Sequence, residues 1–312
     1  MTLTKAEKTS KEVYGPRTTK RSTRAEMELR RTTLLEIASE AQPASVRHIY
    51  YRAVVAGIVE KKETGYRKVQ RELLRLRRDG QLPFSWIVDE SRRAHWPQVY
   101  LSPTSALDAL AGSYRRNPWQ QAGAPNVEIW CESESIAGSL MPLKAQYAVP
   151  IFPIKGQTSE SFVWNAATAY KGNGRVNHVL YAGDYDPAGL QIGAQLEGKL
   201  REYSAPGVEI VFTRVAITHD QAPALQALGT PPKQAHWLTY AEERQEFVGL
   251  AIEAEAIDAR ALRGLFANAI ENIAAVEVGY DIFDHNRRIE AMDRDRLAVI
   301  ADRVSEGGDG LP

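Results

Sequence analysis

Four carboxylates fall in two short stretches, Glu132 and Glu134 in "WCESES" and Asp184 and Asp186 in "GDYDPAG". Each stretch closes an apolar run. Carboxylates brought together repel one another unless a proton or a cation intervenes, and hard oxygen ligands beside phosphate favour Mg2+, with Mn2+ as the alternative ion. Asp186 also has a local explanation, because an aspartate before Pro187 is a good helix cap with proline at the first helical position. That explanation leaves Asp184 and Glu132 unused. The other stretch with chemical content is "VRHIYYRAV", residues 46–54, which sets two tyrosines side by side. A phenol with a pKa of about 10 attacks poorly unless a base, a cation or a polarised phosphate assists it. Arg47 lies one helical turn before Tyr51 and would supply such a cation. The six histidines show no metal spacing and there is one cysteine, so zinc is not indicated.

The acidic stretches need a scaffold. From residue 127 the chain alternates strand-like and helix-like segments: "VEIWCE", "SIAGSLMPLKAQY", "VPIFPI", "SESFVWNAATAY", "NHVLYAG", "DPAGLQIGAQLEGKLREY" and "VEIVFTRVAI". This order predicts an α/β fold, a mostly parallel sheet with helices on both faces. Ligands of such sheets sit beyond the carboxyl ends of the strands. The rule aims Glu132, Asp184 and Asp186 at one edge. The segment "IKGQTSES" brings Lys155 to the same edge, either to hold phosphate or as a plain turn.

The tyrosines belong to an earlier module. Residues 23–41 have helical periodicity, Ser45 is placed to cap a second helix over "VRHIYYRAVVAGIV", and "TGYRKVQRELLRLRRDG" forms a third that stops at Gly80. "PFSWIVDE" then reads as a strand, and three helices followed by a strand is the order of a winged helix. On the third helix Val69, Leu73 and Leu76 fall within about 60° of one another, while Arg67, Arg71, Arg75 and Arg78 fall within about 80° on the opposite side. Four guanidiniums on one face suit the phosphates and base edges of double-stranded DNA, a solvated face being the alternative. On the second helix Tyr50 joins the apolar face. Tyr51 lies about 100° further round and is expected to face outward, which on this module alone makes it an exposed structural tyrosine.

The 312 residues are 44% hydrophobic, enough for a sizeable core. Their formal charge is zero, but residues 1–80 hold 19 Lys and Arg against 10 Asp and Glu, so a front of +9 meets a remainder of −9. A basic module suited to a polyanion is thus joined to an acidic one suited to cations. No apolar run approaches the roughly 18 residues of a membrane span, and the N-terminus lacks a signal-like stretch, so a cytoplasmic protein without a membrane partner is expected. The expected organisation is a basic arm over 1–24, a winged helix over 25–115, a metal-binding α/β domain with a helical C-terminal extension over 120–305, and a tail over 306–312. "LAIEAEAIDARALRGLFANAIENI", with Glu253 and Glu255, reads as a helical cover or dimer contact.

A glutamate closing the first strand with a D-x-D closing a later one resembles the Toprim domain of topoisomerases, primases and some nucleases. The longer string "GDYDPAGLQI" is similar to the D-x-D-P-x-G-x-x-I of the type IIB topoisomerase (topoisomerase VI) A subunit. Relatives of that subunit include the meiotic double-strand-break transesterase and small stand-alone proteins of phages and plasmids. In that family a winged helix precedes Toprim, and the catalytic tyrosine ends a segment R-x-x-[FY]-Y, matched here by "RHIYY". The resemblance spans about residues 40–215. It implies Tyr51 as nucleophile, Arg47 as its phosphate-stabilising neighbour, Glu132, Asp184 and Asp186 as metal ligands, and "KGQTS" near the DNA path. It further implies a homodimer in which Tyr51 of one chain meets the Toprim site of the other. Strand passage would need a separate GHKL-type ATPase B subunit. One departure stands out, since Ser133 follows the glutamate where the family usually has lysine. The expected activity is Mg2+-dependent double-strand DNA cleavage by tyrosine transesterification; the alternatives are a Toprim nuclease using water and a non-catalytic DNA-binding module.

Overall fold

The computed structural model describes residues 23–87, 97–121, 123–156, 159–231, 247, 249–278 and 282–307. Helix α1 (Arg24–Ala41) starts with a reciprocal cap, in which the Thr23 hydroxyl accepts from the Glu26 amide and the Glu26 carboxylate accepts from the Thr23 amide. Ser45 caps α2 (Val46–Val55) as its spacing predicts, accepting from the His48 amide. The turn into α3 (Glu63–Arg78) requires Gly65, where a Cβ would meet the Glu60 carbonyl oxygen at 2.1 Å. Val69, Leu73 and Leu76 are buried and Arg67, Arg71, Arg75 and Arg78 are exposed, so the two faces of α3 separate as expected.

The strand expected over "PFSWIVDE" is not formed in its described part. Phe84–Trp86 make a single 3-10 turn, Ile87 forms one isolated bridge with Ala44, and residues 88–90 lie outside the described residues. Among the described residues Ala44 alone offers this segment a bridge partner. Phe84 stays exposed, with the Arg77 guanidinium 5.1 Å from its ring centroid.

Beyond α4 (Pro103–Ser113), four parallel strands form one sheet: β1 (Asn126–Cys131), β2 (Ile151–Pro153), β3 (Asn177–Ala182) and β4 (Ile210–Ala216), in the order β2-β1-β3-β4. Helices α5 (Glu134–Tyr147), α6 (Glu160–Tyr170) and α7 (Pro187–Tyr203) make the successive crossovers. Side chains alternate across the pleat. Trp130, Val179 and Tyr181 pack with α6 and α7, whereas Val127, Ile129, Cys131, Leu180 and Ala182 join the larger core with α5. That larger core is continuous with the three front helices and with α9 (Ala259–Glu277), which follows the single turn α8 (Ala222–Leu225). The last helix, α10 (Ile282–Gly307), lies along α4. No helix among the described residues is long and apolar enough to cross a membrane.

Polar contacts fix the front helices to the sheet layer. Arg263 of α9 donates to the carbonyls of Ala41, Pro43 and Ser139 at 2.9–3.1 Å. His48, 1% exposed, sits between the Ser45 and Ser139 hydroxyls with its Nδ1 3.0 and 3.1 Å away, while its buried Nε2 has no partner among the described residues. Burial lowers the imidazole to about 4, with Arg263 adding to the effect and Asp258 opposing it. The unfolded chain therefore takes up a proton near 6.5 that the folded chain refuses until about pH 4. Stability is expected to fall as pH drops through that window, by about 2 kcal/mol at pH 5 relative to neutrality. Urea denaturation at the two pH values would measure the drop, and His48→Gln should remove most of it.

Candidate active site

Glu132 follows β1 directly, and its amide donates to the Ala182 carbonyl at 2.9 Å, which extends the ladder by one residue. Its Oε2 accepts from the Asp184 amide at 2.9 Å. Asp184 lies two residues past β3, and its Oδ1 accepts from the Ala254 amide at 2.8 Å. Each carboxylate is thus oriented through one oxygen by a backbone N–H. Asp186 is turned to local work: it caps α7, accepting from the Gly189 amide at 2.7 Å. The glycine is required because a Cβ at 189 would stand 2.3 Å from the Asp184 carbonyl oxygen. Gly189→Ala is expected to cost about 1–3 kcal/mol through this overpacking, read as a lowered urea midpoint.

The loop between β3 and α7 rests on Arg214 of β4. Its guanidinium donates to the carbonyls of Gly183 at 2.9 Å, Asp184 at 2.5 Å and Ile217 at 2.7 Å, and lies 5.4 Å from the centroid of the Tyr181 ring. Burial lowers the Arg214 pKa, against the pull of Tyr181 and the nearby acids. Burial first, and then the charges of Asp186 and Glu255, raise the Glu132 pKa, while the Asp184 amide and Arg214 oppose them. Asp184 is raised well above the ordinary aspartate value by burial and by Glu132 and Glu255. Two acids held this way favour a cation or a proton between them.

A cavity of about 410 Å³ opens onto these groups, lined by Arg47, Glu132, Glu134, Lys155, Asp184 and Glu255 together with Ser133 and Gly156. Six charged residues singled out in the sequence, Arg47, Glu132, Glu134, Lys155, Asp184 and Glu255, meet there. Asp186 is not part of the lining, and neither are Arg67, Arg71, Arg75 and Arg78. Lys155 and Gly156 take successive left-handed conformations, φ +56° and +86°, and Lys155 Nζ pairs with Glu134 at 2.7 Å. Glu255, 3% exposed, accepts from the Ser133 hydroxyl at 3.0 Å.

Tyr51 does not face outward. It is 4% exposed, more buried than Tyr50 at 7%, because the turn Ala254–Ala256 packs over α2 and closes the side that helical periodicity leaves open. The Lys61 ammonium stands 5.4 Å from its ring centroid. Burial, then the charge of the adjacent Glu253, pushes the Tyr51 hydroxyl far above its usual range, with Arg47 opposing. Arg47 Nε pairs with Glu253 at 3.0 Å. Burial works against the Arg47 charge, but Glu253 and Glu255 outweigh it and hold its pKa up.

The segment carrying Glu253 and Glu255 is not α-helical, contrary to expectation, and holds only the 3-10 turn Ala254–Ala256. Ile252 exchanges backbone hydrogen bonds with Tyr185, Ala254 spends its amide on Asp184, and the helix begins only at Ala259, capped by Asp258. Sequence reasoning read this strap as the start of a helix and passed over Arg214. Arg214 had a signal, a lone cation inside the apolar run "VFTRVA"; the strap had none beyond the alternation in "IEAEA".

Among the described residues, no three His, Cys, Asp or Glu side chains are grouped so as to hold a metal ion by themselves. The donors present, Glu132 and Asp184 with Glu255 behind them, are hard oxygens that fit Mg2+ in the manner usual beside phosphates, with one or two carboxylates and the remaining positions left to phosphate and water. No protein-family model matches the chain, and no curated protein matches it.

Proposed function

We propose that the chain is a Mg2+-dependent DNA-cleaving enzyme in which Tyr51 is the nucleophile, as its resemblance to the topoisomerase VI A subunit implies. One observation carries the reading: Arg47 of α2 lines the same cavity as Glu132 and Asp184, so a phosphate held there would meet a cation and two carboxylates. A cation from the tyrosine helix and carboxylates from the sheet edge thus converge on a space open to a phosphate. Glu132 and Asp184 would hold the ion, which when bound would offset charge on the phosphate and the leaving oxygen. Arg47 binds a non-bridging phosphate oxygen, and Lys155 at the rim attracts the neighbouring phosphate. The Tyr51 oxygen bonds to phosphorus, the bond from phosphorus to the 3′ oxygen breaks, and the proton lost by the phenol balances the one gained by the 3′ hydroxyl. The product is a 5′-phosphotyrosyl link.

Tyr51 is buried beside Glu253, so the attack requires it to leave that contact. Two sites are needed for a double-strand break, and the homodimer implied by the resemblance supplies them, each Tyr51 serving the partner's acidic site. Strand passage would fall to a separate ATPase subunit. The exposed arginines of α3 are the proposed DNA-docking face. Burial of Tyr51 also favours a second reading, hydrolysis by water at the same acidic pocket. Labelled duplex incubated with the protein and Mg2+ or Mn2+, then run on a denaturing gel, separates the two. Label at protein mass is the expected result; free cleaved DNA with none at protein mass would establish hydrolysis.

A further inference from the structure

A second cleft, of about 1030 Å³, opens away from the acidic pocket. It lies between the last turn of α5, residues 115–118 and one face of α10, and includes Pro150 just before β2. Because α5 carries the chain from the carboxyl end of β1 to the amino end of β2, this cleft sits at the opposite edge of the sheet. Its charged lining is Arg115, Arg116, Lys144, Arg287 and Arg294 against one acid, Glu290. Glu290 is shared by Arg294 at 2.5 Å and Arg115 at 3.6 Å, Arg116 takes Asp293 at 3.2 Å, and Arg287 meets Asp284 at 3.4 Å on the surface. Lys144 is exposed and has no ion pair among the described residues. Three acids therefore face five cations. Lys144 in the last turn of α5 complements the helix dipole, which accounts for only one of the five.

The excess is extended along the cleft. Arg287 and Arg294 share a face of α10 two turns, or about 10 Å, apart, too far for both to close on a single phosphate. The helix end at the cleft is the carboxyl end of α5, whose carbonyls disfavour a compact polyphosphate. Spaced cations suit spaced charges. We propose that this cleft binds the phosphodiester backbone of DNA, as a contact separate from both the acidic pocket and the arginine face of α3. The inference rests on the reading of the chain as a DNA-acting protein.

The test is a titration of labelled duplex with the full chain in EDTA, by fluorescence anisotropy over a range of salt, comparing wild type with Lys144→Ala/Arg287→Ala. Both side chains are largely exposed, so an unchanged thermal melt is expected. The double variant should bind about tenfold more weakly, and its plot of log affinity against log salt should be shallower by about 1.8, or about 0.9 for each lost phosphate contact. Lys144→Arg alone should keep the wild-type slope. An unchanged slope in the double variant overturns the proposal, as does a wild type that does not bind duplex. It is equally overturned if these two residues govern binding of ATP and not of duplex. Without metal no cleavage occurs, so the two readings fail separately: altered slopes with no cleavage in Mg2+ would remove the cleavage reading alone, and cleavage with indifferent slopes would remove the cleft alone.

Discussion

Tyr51→Phe is expected to eliminate protein-linked DNA while leaving the protein folded. The loss in cleavage should be on the order of 10⁴-fold or more, the scale seen when a covalent nucleophile is removed from an otherwise intact site. The fold should tolerate the change because the ring carries the packing: Tyr51 lies 5.3 Å from Tyr50 between centroids and under the Lys61 ammonium, and phenylalanine keeps both contacts. The lost hydroxyl is the part of the side chain that burial and Glu253 disfavour in its ionised form. A melt within a degree or two of wild type, together with the missing adduct on a denaturing gel, would mark the effect as chemical. Cleavage at an undiminished rate in this variant would instead assign the attack to water. Arg47 should remain paired with Glu253 and still line the acidic pocket, so the electrostatics of the site are preserved in the comparison.

The sheet and its crossovers were legible because each apolar run is bounded by a turn or a helix cap. The expected strand "NHVLYAG" and the observed Asn177–Ala182 differ by one residue, and Ser45 and Asp186 cap the helices their spacing predicts. The acidic edge followed from the rule for parallel sheets once the strands were placed. Tyr51 was misplaced for a definite reason. Helical periodicity reports how a residue sits relative to its own helix's main apolar stripe, and nothing in α2 reveals that the turn at 254–256 will cover another side. The same turn was read as helix because its alanines have high helix propensity. The Ala254 amide is committed to Asp184, and Ile252 just before the turn exchanges backbone hydrogen bonds with Tyr185; these partners lie about 70 residues away, and that outweighs propensity. The strand expected after α3 failed for the complementary reason, a suitable pattern with a single-residue backbone partner among the described residues.

That strap also makes a prediction in which activity and stability move in opposite directions. Asp184→Asn should lose cleavage by at least about 10²-fold, since a charged metal-ligand candidate becomes neutral, yet should stabilise the fold. Asparagine keeps an oxygen to accept from the Ala254 amide, which now binds Asp184 Oδ1 at 2.8 Å, and it removes a charge that burial, Glu132 and Glu255 all disfavour. The sign follows from the raised pKa. Below the ordinary aspartate range the carboxyl is protonated in folded and unfolded chains alike and the substitution gains nothing. As pH rises past that value the unfolded chain releases its proton first, so the wild type loses stability until the folded pKa is passed, and the variant does not. At neutral pH a gain on the order of 1 kcal/mol would appear as a rise of roughly 2 °C in melting temperature. Asp184→Ala serves as the control, because it removes the same charge but leaves the Ala254 amide without its acceptor, and its gain should shrink or reverse. Adding Mg2+ should raise the melting temperature of the wild type and not that of the asparagine variant, by the linkage of ion binding to folding. A wild type indifferent to Mg2+, with an asparagine variant that melts lower at neutral pH, would show that the raised acids at this edge are held for structure and not for a cation.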